Sequence, residues 1–432
     1  MINNLSGFPS HWDTSRLDRV ATVNARIGWK ALTSAEYQPE GYAFLATPNI
    51  KGAEIDYVNV NYISEFRYNE SPELKLQEGD VLLAKDGNTL GIVNIVRKLP
   101  RPATVNGSIA VLRPFGIHGR FLRYVIASSF MQGRIDAVKD GMGVPHLFQR
   151  DIKRLPLPLP PVDEQRRIAD FLDVEIAHID KMRQATSRQV DLLAERFMEL
   201  VRRETTVGLG PSVSTGIDWM PRMSHGWRLG KVSHEFHTGS GTTPTSSNQA
   251  YFDGPHPWLN SADINDGHIS RIEKSVTEEA LAKFSALKIY PAGSLVIALY
   301  GQGATKGRVG ALGIDACLNQ ACCALIPIGE ISVEFAQYWF RGHKEGIITL
   351  AVGAGQPNLS QELIRQLKIP FPDKGRQRRI VERLHGEEER WQLQSALLRS
   401  RGELLEERRQ ALITAAVTGQ VDVTTARRTA TA

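Results

Sequence analysis

Cysteine and catalytic signatures are what this sequence has least of. Its 3 cysteines, Cys317, Cys322 and Cys323, are an odd number inside one apolar stretch, with no CxxC spacing and no histidine cluster nearby. A disulfide scaffold and a structural zinc site are therefore excluded, and the three are expected to be core residues. No apolar run approaches the roughly 18 residues that a membrane-spanning helix needs, and the opening MINNLSGFPSHWD has no basic segment followed by an apolar one. A cytoplasmic chain is expected. GWRLGK at Gly226 is one residue short of the G-x-x-x-x-G-K-[ST] phosphate loop and has no Ser or Thr after Lys231, so it reads as a domain start. GQGATKG at Gly301 does not lead G-x-G-x-x-G into a helix and reads as a tight turn. There is no HExxH pair, no G-x-S-x-G elbow, no Asn/Asp-Pro-Pro-aromatic motif and no nuclease carboxylate cluster. With no catalytic group and no metal site to point to, the chain is expected to bind rather than to catalyse.

Charge is also sparse in sum. A net +5 with a pI near 9.0 is a weak field over 432 residues, although it leans toward a polyanionic partner. Its arrangement is more informative. Basic clusters fall at Arg150, Lys153 and Arg154, at Arg166 and Arg167, at Arg202 and Arg203, and from Arg376 to Arg379. Each could equally be a solvated helix face.

What is present is a long internal repeat. GVPHLFQRDIKRLPLPLPPVDEQRRIADFL at Gly143 returns 212 residues later as GQPNLSQELIRQLKIPFPDKGRQRRIVERL from Gly355. Across the 30 positions from Gly143 to Leu172, 13 are identical at that offset, where chance would give roughly two. The offset persists through Leu192, Leu193, Glu195, Arg196 and Leu200, which recur as Leu404, Leu405, Glu407, Arg408 and Leu412. A period this long exceeds any solenoid repeat, so each copy is a domain with an appended helix.

Both halves read in the same order. A His and Trp open each, in PSHWDTSRLDRV and MSHGWRLGKVS, and strand-like segments follow. The clearest are GDVLLAKDG at Gly79 with its counterpart GSLVIALYG at Gly293, and TVNGSIAVL at Thr104 with CLNQACCAL at Cys317. Helices at FLRYVIASSF and EFAQYWFRGH close each globular part. The proline run LPLPLPP ends the first domain, because proline removes a backbone donor and restricts its predecessor.

Beyond it the pattern turns helical. Leu172, Ile179, Thr186, Leu193 and Leu200 recur every seven residues, as do Ala169, Ile176, Arg183, Val190 and Phe197. The second copy keeps Leu384, Trp391, Leu398, Leu405 and Leu412, with poorer companions at Glu388, Ser395 and Gly402. Two helices of about forty residues, about 60 Å each, would pair antiparallel and hold two domains at a fixed separation. Alternatively each helix packs on its own domain.

At PPVDEQRRIADFLD from Pro160, its counterpart RQRRIVERL at Arg376 and the closing RRQALITAAVTGQVDV, the chain resembles the specificity subunit of type I restriction-modification enzymes. GSGTTPTSSNQAYFDGPHPWLNSADI from Gly239, GQPNLSQELIRQLKIPFP from Gly355, IGWKALTSAEY from Ile27 and GDVLLAKDGNTLGIV from Gly79 extend the likeness over nearly the whole chain. One departure is that Asp163-Glu164 becomes Gly375-Arg376 in the second copy, at the helix N-cap or a partner contact. The resemblance implies an α/β (α+β) fold of two pseudo-repeated mixed α/β target recognition domains joined by a long antiparallel two-helix coiled coil. The domains fall at residues 1–161 and 206–372, the spacer helices at 162–205 and 373–420, and a flexible tail at 421–432. It implies a non-catalytic reader of a bipartite, asymmetric target in double-stranded DNA. Two modification subunits carrying S-adenosylmethionine and adenine N6-methyl transfer would bind it, and restriction subunits would add ATP- and Mg-dependent translocation and cleavage. No cofactor is implied for this chain.

Base readout needs side chains that reach base edges, whereas phosphate contacts supply register. Loop residues are the candidate readers: Lys30, Thr33, Lys85 and Asn88 in the first half, and Thr242, Thr243, Gln302, Lys306 and Arg308 in the second. The plain alternative for each is an exposed loop residue. Asn106 and Asn319 align, and structural duty is the alternative for them. Heads reading one face of B-DNA should lie about 10 base pairs, or 34 to 36 Å, apart. Arg166, Arg167, Arg378 and Arg379 are candidates for docking the modification subunits. The rival reading is a coiled-coil scaffold that organises protein partners without DNA readout.

Overall fold

The computed structural model describes residues 7–25, 32–139, 145–301, 305–351 and 358–423. They form two compact units, Met1–Ser187 with Ser400–Ala432, and Arg188–Arg399.

In the first unit the all-apolar run Val81–Ala84 is the central strand of an antiparallel four-stranded sheet, in the order Ala21–Asn24, Ile109–Pro114, Val81–Ala84, Val93–Ile95. It is apolar at every position because both its faces are covered. Val81 and Leu83 pack with Phe121, Leu122 and Val125 of the helix Gly119–Ala127. Leu82 and Ala84 pack on the other side with Ala43, Leu45, Ala103 and Val105 of a second sheet. That sheet joins Tyr42–Leu45 antiparallel to Asn61–Ile63 and parallel to Ala103–Val105.

The second unit repeats this plan. Its first sheet runs Phe236–Ser240, Cys322–Pro327, Leu295–Ala298, Val309–Leu312, with His268–Ile269 added at one edge. Leu295 and Ile297 face the helix Val333–Thr349, while Val296 and Ala298 face Leu259 and Leu318 of the second sheet. All three cysteines are buried and unpaired with one another, and burial pushes the Cys317 thiol up to about 11 and that of Cys323 up to about 12. They are core residues, as expected. Gly79 and Gly293, at matching turns before the central strands, both have positive φ, at 91° and 82°, which an L side chain adopts only with strain.

The proline run behaves differently from a simple terminator. Pro156–Leu159 is a strand paired antiparallel with Asp13–Arg16, and Lys368–Phe371 pairs in the same way with Arg228–Lys231. Each is a two-stranded ribbon, so one edge of the proline strand has no ladder to supply and its missing donors cost nothing there.

A helix of 43 residues, Val162–Glu204, follows the first ribbon, and one of 44, Lys374–Val417, follows the second. In the first unit Ile168, Leu172, Ile176 and Ile179 share a core with Leu405, Ile413, Ala416 and Val417. Each of the Leu, Ile and Val side chains among them contributes about 1.5 to 3 kcal/mol by leaving water. Asp180 pairs with Arg409 at 3.2 Å, and Arg183 with Glu406 at 2.7 Å. In the second unit Phe197 stacks on Trp391 at 4.9 Å, and Glu204 pairs with Arg383 at 3.2 Å. Within each unit the partner number falls as the first rises, so the two helices run antiparallel. Thr186, a polar interruption of the seam, is buried and returns its hydroxyl to the Met182 carbonyl at 2.8 Å.

One repeated side chain joins helix to domain. Gln165 is 1% exposed, donates to the Pro160 carbonyl at 2.7 Å and accepts from the His118 amide at 2.7 Å. Gln377, also 1% exposed, donates to the Pro372 and Glu330 carbonyls at 3.0 and 3.1 Å and accepts from the Ser332 amide at 2.9 Å. His118 and Ser332 are the N-caps of the domain helices. Leucine in place of Gln165 or Gln377 would strand a buried carbonyl and a cap amide. Each change should cost about 2 to 4 kcal/mol in urea unfolding; a loss under about 0.5 kcal/mol would contradict the role assigned to this amide.

His343, 4% exposed, donates Nδ1–H to the Trp339 carbonyl at 2.8 Å and stacks on that indole. Burial pulls its pKa down to about 4, more than the hydrogen bond to Trp339 raises it. The unfolded chain takes up this proton near 6.5, so the second unit should lose stability as pH falls from 6.5 toward 4, by up to about 3 kcal/mol. Above 6.5 the group contributes no slope. Thermal unfolding from pH 7 to 4, compared with His343→Gln, checks this; equal slopes for the two proteins would sink it.

Candidate nucleic-acid interface

In the first unit the central strand delivers Lys85 and Asp86 to a turn, the 3-10 segment Gly87–Thr89, on which Asn88 is exposed. Lys85 is not a free loop cation. Its side chain is 8% exposed, and its ammonium lies 3.3 Å from Asp86 Oδ2. The other carboxylate oxygen of Asp86 meets His146 Nδ1 in a short hydrogen bond. The backbone pins the two segments together through Gly87 N–H to the Pro145 carbonyl and Leu147 N–H to the Lys85 carbonyl, at 2.8 and 2.9 Å. Beyond His146, the exposed Phe148 ring meets the imidazole edge-on at 4.5 Å, and the Arg150 guanidinium lies 5.0 Å over the Phe148 ring.

Thr33 is exposed but is the N-cap of Ser34–Glu36, closing a capping box in which its amide donates to Glu36 at 3.1 Å. Glu36 in turn accepts two hydrogen bonds from Arg67, and the Thr33 amide, with Arg67 after it, holds the Glu36 carboxyl below the usual range. Lys30 and Gln302 lie outside the described residues.

In the second unit Thr242 and Thr243 follow the strand Phe236–Ser240. The Thr242 carbonyl accepts from the Trp258 indole at 3.2 Å, and the Thr243 hydroxyl donates to Gln320 at 2.6 Å. Gly241 makes this path possible, since a Cβ there would sit 1.7 Å from the Leu318 carbonyl oxygen. Lys306 and Arg308 are half-buried on the turn into Val309–Leu312, where Gly307 has φ +76° and the Arg308 amide donates to the Thr305 carbonyl at 3.0 Å. Burial lowers the Lys344 pKa, and the nearby Arg308 adds to the effect while Asp266 opposes it. Arg308, Lys344 and Asp266 thus share one charged neighbourhood.

Asn106 and Asn319 are structural. Each side-chain oxygen accepts from the amide two residues on, Ser108 at 3.1 Å and Ala321 at 3.0 Å, and each backbone amide donates to the last carbonyl of an inner strand of the second sheet, at Leu45 and Leu259.

The junctions with the long helices carry charge of both signs. In the first unit the Tyr124 hydroxyl donates to Asp173 at 2.7 Å, beside Arg97 and Arg120 at 2.6 and 2.8 Å. Burial raises the Asp173 pKa, but these three donors outweigh it and leave the carboxyl below the usual range. In the second unit the Tyr338 hydroxyl donates to Glu388 at 2.8 Å, beside Arg341 at 2.5 Å. Arg166, Arg167, Arg378 and Arg379 are all exposed, and Arg166 pairs with Asp163 at 3.3 Å. Arg378 and Lys374 line an open cleft of about 1010 Å³ in the second unit, opposite Glu330 and Glu334.

The replacement of Glu164 by Arg376 changes a contact without losing it. Glu164 accepts from the Trp12 indole at 3.1 Å and lies 3.1 Å from His11, whereas the Arg376 guanidinium lies 5.6 Å over the Trp227 ring. Capping of the second helix passes to Asp373, whose carboxylate accepts from the Arg376 amide at 2.9 Å.

Sequence reasoning missed His146 and Asp86. The available signal was that His146 lies between Pro145 and Leu147, which recur as Pro357 and Leu359, while it becomes Asn358 in the second copy. Among the described residues no group of three His, Cys, Asp or Glu is placed to hold a metal ion, and no helix is long and apolar enough to cross a membrane.

Comparison with known proteins bears on this geometry. Residues 9–189 and 226–396 match the model of the type I restriction modification DNA specificity domain. The type I restriction enzyme EcoKI specificity subunit of Escherichia coli K12 is 21% identical over 280 residues, 61% of this chain and only 56%, about half, of that subunit's length. The MjaVIII specificity subunit of Methanocaldococcus jannaschii is 21% identical over 388 residues, 87% of this chain and 86% of that one. A solved chain from a study of complex assembly and conformational transition in the type I R-M system superposes with a TM-score of 0.73 at 18% identity, covering 96% of this chain and 99% of that chain. The fold is therefore that of the specificity subunits. With two copies of the domain model matched over most of its length, the chain belongs to the type I restriction-modification DNA specificity family.

Proposed function

We propose that this chain is the sequence-specific DNA-recognition subunit of a type I restriction-modification complex. Each unit reads one half of a bipartite target, and the unread bases between the halves are passed over. The observation that carries this reading is the repeat itself: one backbone plan built twice, with matching buried residues and different exposed ones at the strand ends. Leu147 and Leu359, and Ile152 and Ile364, are buried at equivalent places, whereas Phe148 becomes Ser360 and Arg150 becomes Glu362. Two readers with different side chains call for an asymmetric word.

The chain supplies no catalytic group. Methyl transfer to adenine N6, with S-adenosylmethionine, belongs to two modification subunits, and ATP- and Mg-dependent translocation and cleavage to restriction subunits. The exposed arginines of the long helices, Arg166 with Arg167 and Arg378 with Arg379, recur at the same repeat positions and suit two copies of one partner. The complex acts in the cytoplasm, where its DNA is.

The test is single-molecule methylome sequencing of cells expressing this chain with candidate modification subunits, against cells lacking the chain. The expected result is N6-methyladenine at one gapped, asymmetric motif, lost on deletion. An unchanged methylome with the complex shown to be assembled would replace DNA recognition with a scaffold for protein partners.

A further inference from the structure

The two units keep the same backbone junction where the central strand ends, and they differ there in side chains. In the first unit the Leu147 amide donates to the Lys85 carbonyl at 2.9 Å; in the second the Leu359 amide donates to the Leu299 carbonyl at 3.1 Å. The flanking glutamines also match in duty. Gln149 donates to the Val23 carbonyl at 2.5 Å and Gln361 to the Thr238 hydroxyl at 3.0 Å, each tying its helix to the edge strand of the first sheet. On this common frame the first unit places Lys85, Asp86 and His146, and the second places Leu299, Tyr300 and Asn358. Packing does not demand the change at His146, which is 33% exposed on its side chain and corresponds to an exposed Asn358 in the second copy, whereas Lys85 and Leu299 are both buried.

The chemistry of the first set is directional. A carboxylate can only accept, so the Asp86 contact requires Nδ1 of His146 to carry the proton. When the ring is uncharged, this contact leaves Nε2 as an acceptor, in one orientation. Lys85, almost fully buried, holds the other oxygen of Asp86, so the carboxylate cannot swing away without stranding the ammonium. Phe148 supports the ring edge-on. An ordered acceptor at a partly exposed strand end suits a base that presents an amino donor in the major groove, adenine N6 or cytosine N4.

We infer that His146 is a base-reading residue of the first unit, that Asp86 and Lys85 are the residues that position it, and that it selects an amino-bearing base at one place in the first half-site. This rests on the DNA-recognition reading above.

The experiment uses the assembled complex of this chain with its modification subunits. Binding is measured to duplexes carrying the methylome-derived word and each single-base change in both half-sites. Three variants are compared with wild type: His146→Asn, the residue that the second unit already carries on the same backbone, His146→Ala and Asp86→Asn. Wild type should prefer adenine or cytosine at one position of the first half-site by roughly tenfold or more. Both His146 variants should shrink that preference at this position alone, leaving every second-half position unchanged. Asp86→Asn should reduce it in part, with the rest of the word still read, which a merely structural defect would not produce. Undiminished discrimination at every position in His146→Asn and His146→Ala would overturn the proposal. A uniform loss of affinity for all duplexes in His146→Asn would also overturn it, making His146 a structural or phosphate-contacting residue. If wild type itself prefers no word, DNA recognition fails instead, so the two failures are distinct.

Discussion

A buried primary amide is the constraint on which each half of this protein depends. Gln165 and Gln377 are neutral, so they can be enclosed at a cost far below that of a charge, yet each carries donors and an acceptor that must be matched once water is gone. They are matched by groups from two other segments: the carbonyl at the end of the closing strand and the cap amide of the domain helix. An aliphatic residue could fill the space but would fix no direction. The amide fixes the angle at which a helix of more than forty residues leaves its domain, and small errors at that origin grow along its length. Identity at this position in both copies follows from a geometric demand that packing alone cannot meet.

The compact units do not coincide with the repeats. The first unit takes its final stretch, Ser400 onward, from the second copy of the helix, and the second takes Arg188 to Glu204 from the first copy. The exchange has specific anchors. In the first unit Thr414 accepts from the Ser129 amide at 3.0 Å and Gln410 donates to the Ala127 carbonyl at 2.7 Å. In the second unit Arg202 donates to the Gly342 carbonyl at 3.2 Å, and Gly342 is needed for so close an approach, since a Cβ there would sit 3.1 Å from the Arg202 backbone nitrogen. A helix with a single apolar stripe cannot bury it alone. Each domain therefore rests on both helices, and neither copy is a complete fold.

Much of this was legible in the chain. The 212-residue repeat, the heptad positions and the fully apolar VLLA and LVIA runs report burial directly, because periodicity and hydrophobicity are properties of the residues themselves. The proline run was harder, since its cost depends on whether a second neighbour needs its amides, and the ribbon supplies only one. Among candidate readers, Lys85 reads as an exposed loop cation until Asp86 and the distant Pro145–Leu147 segment enclose it, and Thr33 reads as a contact until its capping box is seen. His146 and Asp86 are 60 positions apart, and no local pattern announces a contact across that distance.

Comparing one half with the other separates what packing requires from what it permits. At the helix–domain junctions a change in residue is answered by a change in partner chemistry: Glu164 accepting from an indole N–H becomes Arg376 over an indole face, and the Asp173–Tyr124 contact of the first unit is replaced by Glu388 with Tyr338, one helical turn further along, in the second. The contact survives because an empty junction would release the helix. At His146 and Asn358, or at Phe148 and Ser360, the common frame holds residues that differ in size and hydrogen-bonding sense. Partly exposed positions beside a conserved backbone junction are those at which a scaffold can vary without unfolding. On the proposed reading of two different words with one backbone, such positions are where the difference is stored.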